Sequence, residues 1–295
     1  MGEYPDDLRE LVERYLAQLS FSRLDATAGL EEAMRYSLLA GGKRIRPVLC
    51  LAAGRSVGAA PESLLPAGCA IELIHTYSLI HDDLPAMDDD ELRRGRPTSH
   101  VAHGEDVAIL AGDGLFAEAI RLFCERQEGD PQRVLAALRE LVAATGVGGM
   151  VGGQYRDITL EAGGASVPGD PGRGGERAGI DATELRELHA LKTGRLIGAS
   201  VTVPLTLAGL SEAETAAYRR FADELGVLFQ IVDDILDVTG SDEELGKPRG
   251  SDERQGKLTY VSVLGLDRAR ELAGESHQKA RAALAAAEGE TADLA

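Results

Sequence analysis

IELIHTYSLIHDDLPAMDDDELRRGRPTSH, residues 71–100, opens as an apolar run, passes into five aspartates within nine positions and closes on three arginines. Asp82, Asp83, Asp88, Asp89 and Asp90 crowd carboxylates that repel one another unless cations or water stand between them. On an unbroken helix each residue turns by about 100°. His75 then returns to within roughly 20° of the Asp82 face, and Asp88 lies about 240° away. Pro85, between the two, breaks or kinks a helix, so the chain can fold back and aim Asp88 at the pocket that Asp82 faces. A Mg2+ site becomes possible. A lone aspartate pair reads more simply as a solvated helix end, because aspartate is common in caps and turns.

A second cluster shifts that balance. FQIVDDILDVTG, residues 229–240, puts Asp233 and Asp237 at i and i+4 on one helix face, with Gln230 three residues before and Asp234 one step round. These aspartates interrupt an apolar stretch, where an unpaired charge is costly. The two clusters lie 151 residues apart (233 − 82) and read as two walls of one cavity.

Composition narrows the classes of partner. The 295 residues are 44% hydrophobic, enough to bury a large core, and 49 acidic against 31 basic residues give a formal charge of −18. That charge argues against nucleic acid and against an anionic membrane as partners. An anionic substrate must be held by local cations. Cys50, Cys69 and Cys124 are widely spaced, set among apolar residues and form no metal motif, so reduced core thiols in a cytoplasmic protein are expected. The N-terminal MGEYPDDLRE lacks the basic and apolar regions of a signal peptide, and IGASVTVPLTLAGL, 197–210, is too short to span a bilayer. A soluble protein without stable membrane insertion is expected.

Along the chain, Leu8, Leu11, Val12, Tyr15, Leu16 and Leu19 follow the spacing of an amphipathic helix, and residues 31–40 read as another, stopped by Gly41 and Gly42. GGKRIRP then gathers Lys43, Arg44 and Arg46 before Pro47, which is expected to open a helix over 48–58. Glycines and a helix N-terminus favour an anion, although three charges alone are usually a solvated patch. Helices are predicted over 62–84, 106–127 and 131–147. Arg93, Arg94 and Arg96 follow the first acidic cluster, either to meet an oxygen-rich ligand beside metals or simply to hold the loop through the carboxylates.

The glycines of GVGGMVGGQYRD let helices approach closely, with Gln154 and Asp157 placed to support a site from behind. Residues 161–179, EAGGASVPGDPGRGGERAG, read as a flexible linker. From Asp181 or Thr183 as cap, a helix runs on with a kink expected at Pro204, and Gly194 after Lys192 and Thr193 loosens it. A further helix covers about 212–238. Lys247 sits in a Gly/Pro-rich loop able to close over phosphate, Lys257 follows it, and the tail from Asp267 is helical. No alternating strand pattern and no repeat stand out. The expected fold is all-α, a single domain over 1–295 built as an antiparallel helix bundle around a deep central cavity.

Taken in order, GGKRIRP, DDLPAMD…RRGRPT, LKTG and FQIVDDILD resemble the signature of the trans-prenyl diphosphate synthases, over nearly the whole chain, and HTYSLIHDDLPAMDDDELRRGRPTSH resembles the bacterial farnesyl diphosphate synthases. The resemblance implies the isoprenoid synthase fold and head-to-tail condensation of isopentenyl diphosphate with an allylic diphosphate, dimethylallyl or geranyl, by a homodimeric enzyme. It implies about three Mg2+ ions bound by Asp82, Asp88 and Asp233, with Asp83 and Asp237 in support. Arg93, Lys192, Lys247 and Lys257 are implied to hold the allylic diphosphate, Thr193 and Gln230 to lie near the developing cation, and Lys43, Arg46, His75 and Arg94 to bind isopentenyl diphosphate. Bulky Tyr77, beside small Ser78, occupies a position the family associates with stopping chain growth, so farnesyl diphosphate is the expected product and geranylgeranyl diphosphate the alternative. A terpene cyclase would not need Lys43, Arg46 and the full DDILD, a non-catalytic subunit would lose the acidic ligands, and a di-iron bundle would want paired Glu-x-x-His motifs, of which only Glu72 to His75 fits.

Overall fold

Helix-forming residues with apolar positions three and four apart dominate the chain, and the computed structural model, which describes residues 5–22, 24–161, 180–240 and 257–295, is all-α apart from one minimal hairpin. The helices are α1 Asp6–Gln18, α2 Ala28–Leu38, α3 Ile45–Ser56, α4 Leu65–Asp82, α5 Ser99–His103, α6 Glu105–Arg126, α7 Pro131–Thr145, α8 Met150–Glu161, α9 Ala182–His189, α10 Arg195–Ala208, α11 Glu212–Thr239, α12 Tyr260–Leu264 and α13 Leu266–Ala285. They cluster into two compact units. The first takes Met1–Val142, Ala199–Arg219 and Ala283–Ala295, and the second Ala143–Gly198 and Arg220–Ala282. The glycine-rich linker 161–179 falls, but for Glu161, outside the described residues, as does Lys247.

In the first unit α4 is the core element. Most of its side chains are buried, from Leu65 through Ile80, so it shows little amphipathic character and is apolar on all sides. It packs on α6 closely because Gly112 has no side chain: a Cβ there would lie 2.1 Å from His81 Nε2. Helix α1 buries Leu8, Val12 and Leu16, the inward stripe its spacing predicts. The stretch Pro61–Asp82 is long and apolar enough to cross a membrane, yet 72% of it is buried inside the protein, the usage of a core helix; Pro131–Leu160 passes the same test at 33% buried.

Several boundaries move from their expected places. Helix α3 begins at Ile45, so Pro47 is its third residue rather than its first; no amide is lost, since the first-turn N–H groups have no helical acceptor. A left-handed Arg44 (φ 51°) after Gly41 (φ 81°) and Gly42 (φ 124°) turns the chain sharply into this helix. The start predicted near 62 is a 3-10 turn, Pro61–Leu64, ahead of α4. Of the three cysteines only Cys50 and Cys69 are buried, and Cys124 is exposed. Leu122 and Phe123 before it are apolar, but Glu125 and Arg126 follow it, and it sits on the outward side of α6.

The second unit has a core of Leu185, Val227, Ile231, Tyr260 and Ala269. Asp181 is the cap of α9: its carboxylate accepts from Thr183 N (2.7 Å) and Glu184 N (2.9 Å), and Glu184 accepts in return from Asp181 N. The loosening predicted around Gly194 is a π-helical turn over Ala190–Gly194, inserted between α9 and α10. Gly153 lets α8 lie against that turn, where a Cβ would come within 2.3 Å of Lys192 N. Pro204 lies inside α10.

Candidate active site

The first acidic motif sits where α4 ends at Asp82. Pro85 stops the helix and the chain doubles back: Asp88 N donates to the Asp82 carbonyl (2.9 Å) and Asp89, at φ 53°, donates to Leu84 O (3.1 Å). The fold-back expected of Pro85 therefore brings Asp88 beside Asp82. Asp83 faces elsewhere. It is 3% exposed and accepts from Arg93 Nε (2.6 Å), while Asp90 lies 3.4 Å from Arg93 Nη2. Burial pushes the Asp83 carboxyl up to about 7, with Arg93 pulling the other way.

Arg93 belongs to a hairpin, β1 Leu92–Arg93 and β2 Arg96–Pro97, paired Leu92 to Pro97 and Arg93 to Arg96. Positive φ at Arg94 (55°) and Gly95 (71°) makes its two-residue turn. Arg94 donates to Gly41 O and its guanidinium covers Gly42, where a Cβ would sit 2.7 Å from Cζ. The hairpin thus spans from the aspartates to the GGKR loop.

In that loop the three cations part company. Arg44 is 3% exposed and donates to Glu72 Oε1 (2.7 Å), Glu13 Oε1 (2.8 Å) and Leu38 O (2.7 Å). Burial alone would lower its pKa, but Glu13 and Glu72 outweigh it. Its work is to pin α1, α2 and α4 beneath the loop. Lys43 is exposed, and Arg46 Nη1 lies 3.2 Å from His75 Nε2. A guanidinium can only donate, so that nitrogen accepts and His75 is neutral with its proton on Nδ1. Burial holds its pKa well below the ordinary value, helped by Arg46, Arg94, Arg93 and Arg44. Arg46 against this neutral imidazole, with Arg94 and Arg93 adding positive charge nearby, makes a place suited to an anion.

On the side of α4 that faces α6, Tyr77 is buried and packs edge-on against Phe116 (5.3 Å) and His81 (5.7 Å), and Ser78 Oγ donates to His75 O (2.9 Å).

The second unit joins its candidates in a relay. Thr193 Oγ1 donates to Gln230 Oε1 (2.9 Å), Gln230 Nε2 to Asp234 Oδ1 (2.8 Å), and Tyr260 N to Asp234 Oδ2 (2.6 Å). Lys192 Nζ is paired with Asp157, a partner the sequence reading did not assign to it. Asp233 is exposed and Asp237 is 3% exposed, one turn apart on α11; Lys257 is half-buried. Asp234 carries a role that the sequence reading left open: it takes the first amide of α12, a favourable end for a carboxylate. Its spacing of four from Gln230 was the available signal. Glu13 and Tyr260 gave none.

Among the described residues no three His, Cys, Asp or Glu side chains come close enough to hold a metal by themselves. Mg2+ is bound through one or two carboxylates plus water and substrate phosphates, so carboxylates of this disposition suit a metal that arrives with a diphosphate.

The sequence profile of the polyprenyl synthetase family matches residues 27–293. The chain belongs to this family. Among its relatives, the chloroplastic geranylgeranyl pyrophosphate synthase of Capsicum annuum is 47% identical over 253 residues, 85% of this chain and 65% of that protein. The chloroplastic heterodimeric geranylgeranyl pyrophosphate synthase large subunit 1 of Arabidopsis thaliana is 48% identical over 85% of this chain and 66% of its own. The chain therefore spans just under two thirds of the length of these two relatives. Of solved structures, a geranyltransferase from Helicobacter pylori complexed with magnesium and isoprenyl diphosphate superposes with TM-score 0.83 at 31% identity, over 95% of this chain and 89% of that one. An FPP/GFPP synthase from Zymomonas mobilis gives TM-score 0.83 at 35% identity, over 98% and 94%.

Proposed function

We propose that the protein is a prenyltransferase that condenses isopentenyl diphosphate head to tail with an allylic diphosphate, and that its main product is geranylgeranyl diphosphate. The observation that carries the activity is Arg46 against a buried, neutral His75, with the Arg93–Arg94 hairpin reaching the same GGKR loop, beside carboxylates that, among the described residues, form no metal nest alone. The relatives' names carry the product, and they move the expectation from farnesyl to geranylgeranyl.

In this reading Lys43, Arg46, His75 and Arg94 bind isopentenyl diphosphate. Arg93, Lys192, Lys247 and Lys257 bind the allylic diphosphate; Asp82, Asp88 and Asp233 are the residues that would hold Mg2+, with Asp237 in support and Asp83 supporting from behind through Arg93. When bound, Mg2+ supplies positive charge where the leaving pyrophosphate becomes negative. The allylic C–O bond breaks, its electron pair leaves with pyrophosphate, and the allylic cation bonds to the terminal alkene carbon of isopentenyl diphosphate. A proton then passes from the adjacent methylene to pyrophosphate. Cations near the leaving group matter because they bind it more tightly as its charge grows. Close to the carbocation only neutral oxygens are wanted; the bonded Thr193 hydroxyl and Gln230 carbonyl fit that need.

A second reading, farnesyl diphosphate synthase, is favoured by one feature: Tyr77 is locked between Phe116 and His81, a bulky wall that stops a growing chain early. Incubation with isopentenyl diphosphate, each allylic primer and Mg2+, with products identified by mass, separates them. Geranylgeranyl diphosphate supports the proposal, farnesyl diphosphate the second reading, and a cyclic hydrocarbon neither.

Self-association into a homodimer is proposed on the outer face of α6, where Ile109 (44%) and Leu110 (55%) are exposed. Chloroplastic location belongs to the plant relatives; a soluble cytoplasmic enzyme is the proposal for this chain.

A further inference from the structure

The hairpin that carries Arg93 and Arg94 has only two residues in each strand, too few to hold itself. Its outer edge rests on α2. Tyr36 Oη donates to Pro97 O (2.9 Å), and the Arg96 guanidinium carbon stands 4.4 Å from the centre of the Tyr36 ring. The same ring is braced from behind by His103, edge-on at 5.0 Å. Between α2, α4 and the hairpin lies a small cavity of about 30 Å³ lined by Tyr36, Thr76, Asp83, Arg94 and Ser99, enough for a water or two. The buried Ser99 hydroxyl beside this cavity has no hydrogen-bond partner in the protein, which leaves it able to bond a water there.

We propose that Tyr36 is a positioning residue: through Arg96 and Pro97 it fixes the arginine hairpin, and so sets Arg93 and Arg94 for diphosphate binding. This rests on the reading above that those two arginines meet substrate phosphate. The three arginines of RRGR then divide their work, with Arg93 on the aspartates, Arg94 on the glycine turn after α2, and Arg96 on the latch. Truncating the ring frees the hairpin without touching any group that meets the substrate.

The test compares Tyr36→Leu, Tyr36→Phe and Arg96→Gln by KM for each diphosphate, kcat, thermal midpoint, and calorimetric binding of magnesium pyrophosphate. Tyr36→Leu is expected to raise both KM values and weaken pyrophosphate binding about tenfold, with kcat changed by less than about threefold. Tyr36→Phe, which keeps the ring, recovers most of the loss. Arg96→Gln, at an exposed position, loses about threefold. Wild-type KM and pyrophosphate affinity in Tyr36→Leu overturn the proposal, as does a parallel fall of kcat, KM and thermal midpoint that phenylalanine does not rescue. Should Tyr36→Leu fail to fold, unchanged pyrophosphate binding in both Tyr36→Phe and Arg96→Gln overturns it equally. A wild-type protein that turns over no prenyl substrate defeats the functional reading alone, because pyrophosphate binding still tests the latch.

Discussion

Asp82 and Asp233 are matched in side chain and motif position, and asparagine at either keeps the shape while removing the charge. Each substitution is expected to lower kcat by about 10²–10³-fold, the usual cost of losing one electrostatic stabiliser of a leaving group, measured by steady-state kinetics at saturating Mg2+. Asp234→Asn is a useful contrast, since its carboxylate holds an amide and a glutamine rather than facing solvent. His189 makes a prediction about pH. Its ring is buried against Tyr260, and burial lowers its pKa to about 4, Asp157 opposing and Lys192 reinforcing. In the unfolded chain it takes a proton near the ordinary value of about 6.5. Between the two the unfolded state holds more protons, so stability is full above about pH 6.5, is lost as pH falls, and levels off below about 4. The loss amounts to at most about 3 kcal/mol. Urea titrations from pH 7 to 4.5 should show a flatter decline in His189→Gln.

At the scale of elements, the helices were legible because apolar residues recur at helical spacing and glycines or prolines mark their ends. Three features escaped that reading. The hairpin was invisible because two-residue strands cannot show alternation. The π turn needed the inserted geometry at Lys192 and Thr193, of which Gly194 was only a hint. Arg44 looked like a member of the cationic patch until the carboxylates of Glu13 and Glu72 claimed it, and those lie 31 and 28 residues away in sequence. Gly153 is where element packing bears on chemistry. Ala at this position drives a methyl into the backbone of the π turn, with an expected cost of about 1–3 kcal/mol. A drop in thermal midpoint accompanied by a larger fall in kcat than in substrate affinity would place the damage at Lys192 and Thr193.

For the molecule as a whole, the motif order in the sequence was enough to place the chain in its family. Product length was not legible in the same way: Tyr77 pointed to a shorter chain, whereas the relatives point to a longer one. Quaternary structure gives its own test. Leu110→Lys places a charge in the exposed apolar face of α6 and should convert a dimer to a monomer in light scattering after gel filtration. A wild-type monomer removes the proposed interface. The most direct test of the chemistry is stoichiometry: isopentenyl diphosphate consumed and pyrophosphate released, followed together with an allylic primer and Mg2+. Equal amounts, both abolished in the absence of either substrate, are expected of head-to-tail condensation. Pyrophosphate released from the allylic substrate alone, with isopentenyl diphosphate untouched, would show that ionisation here serves another reaction.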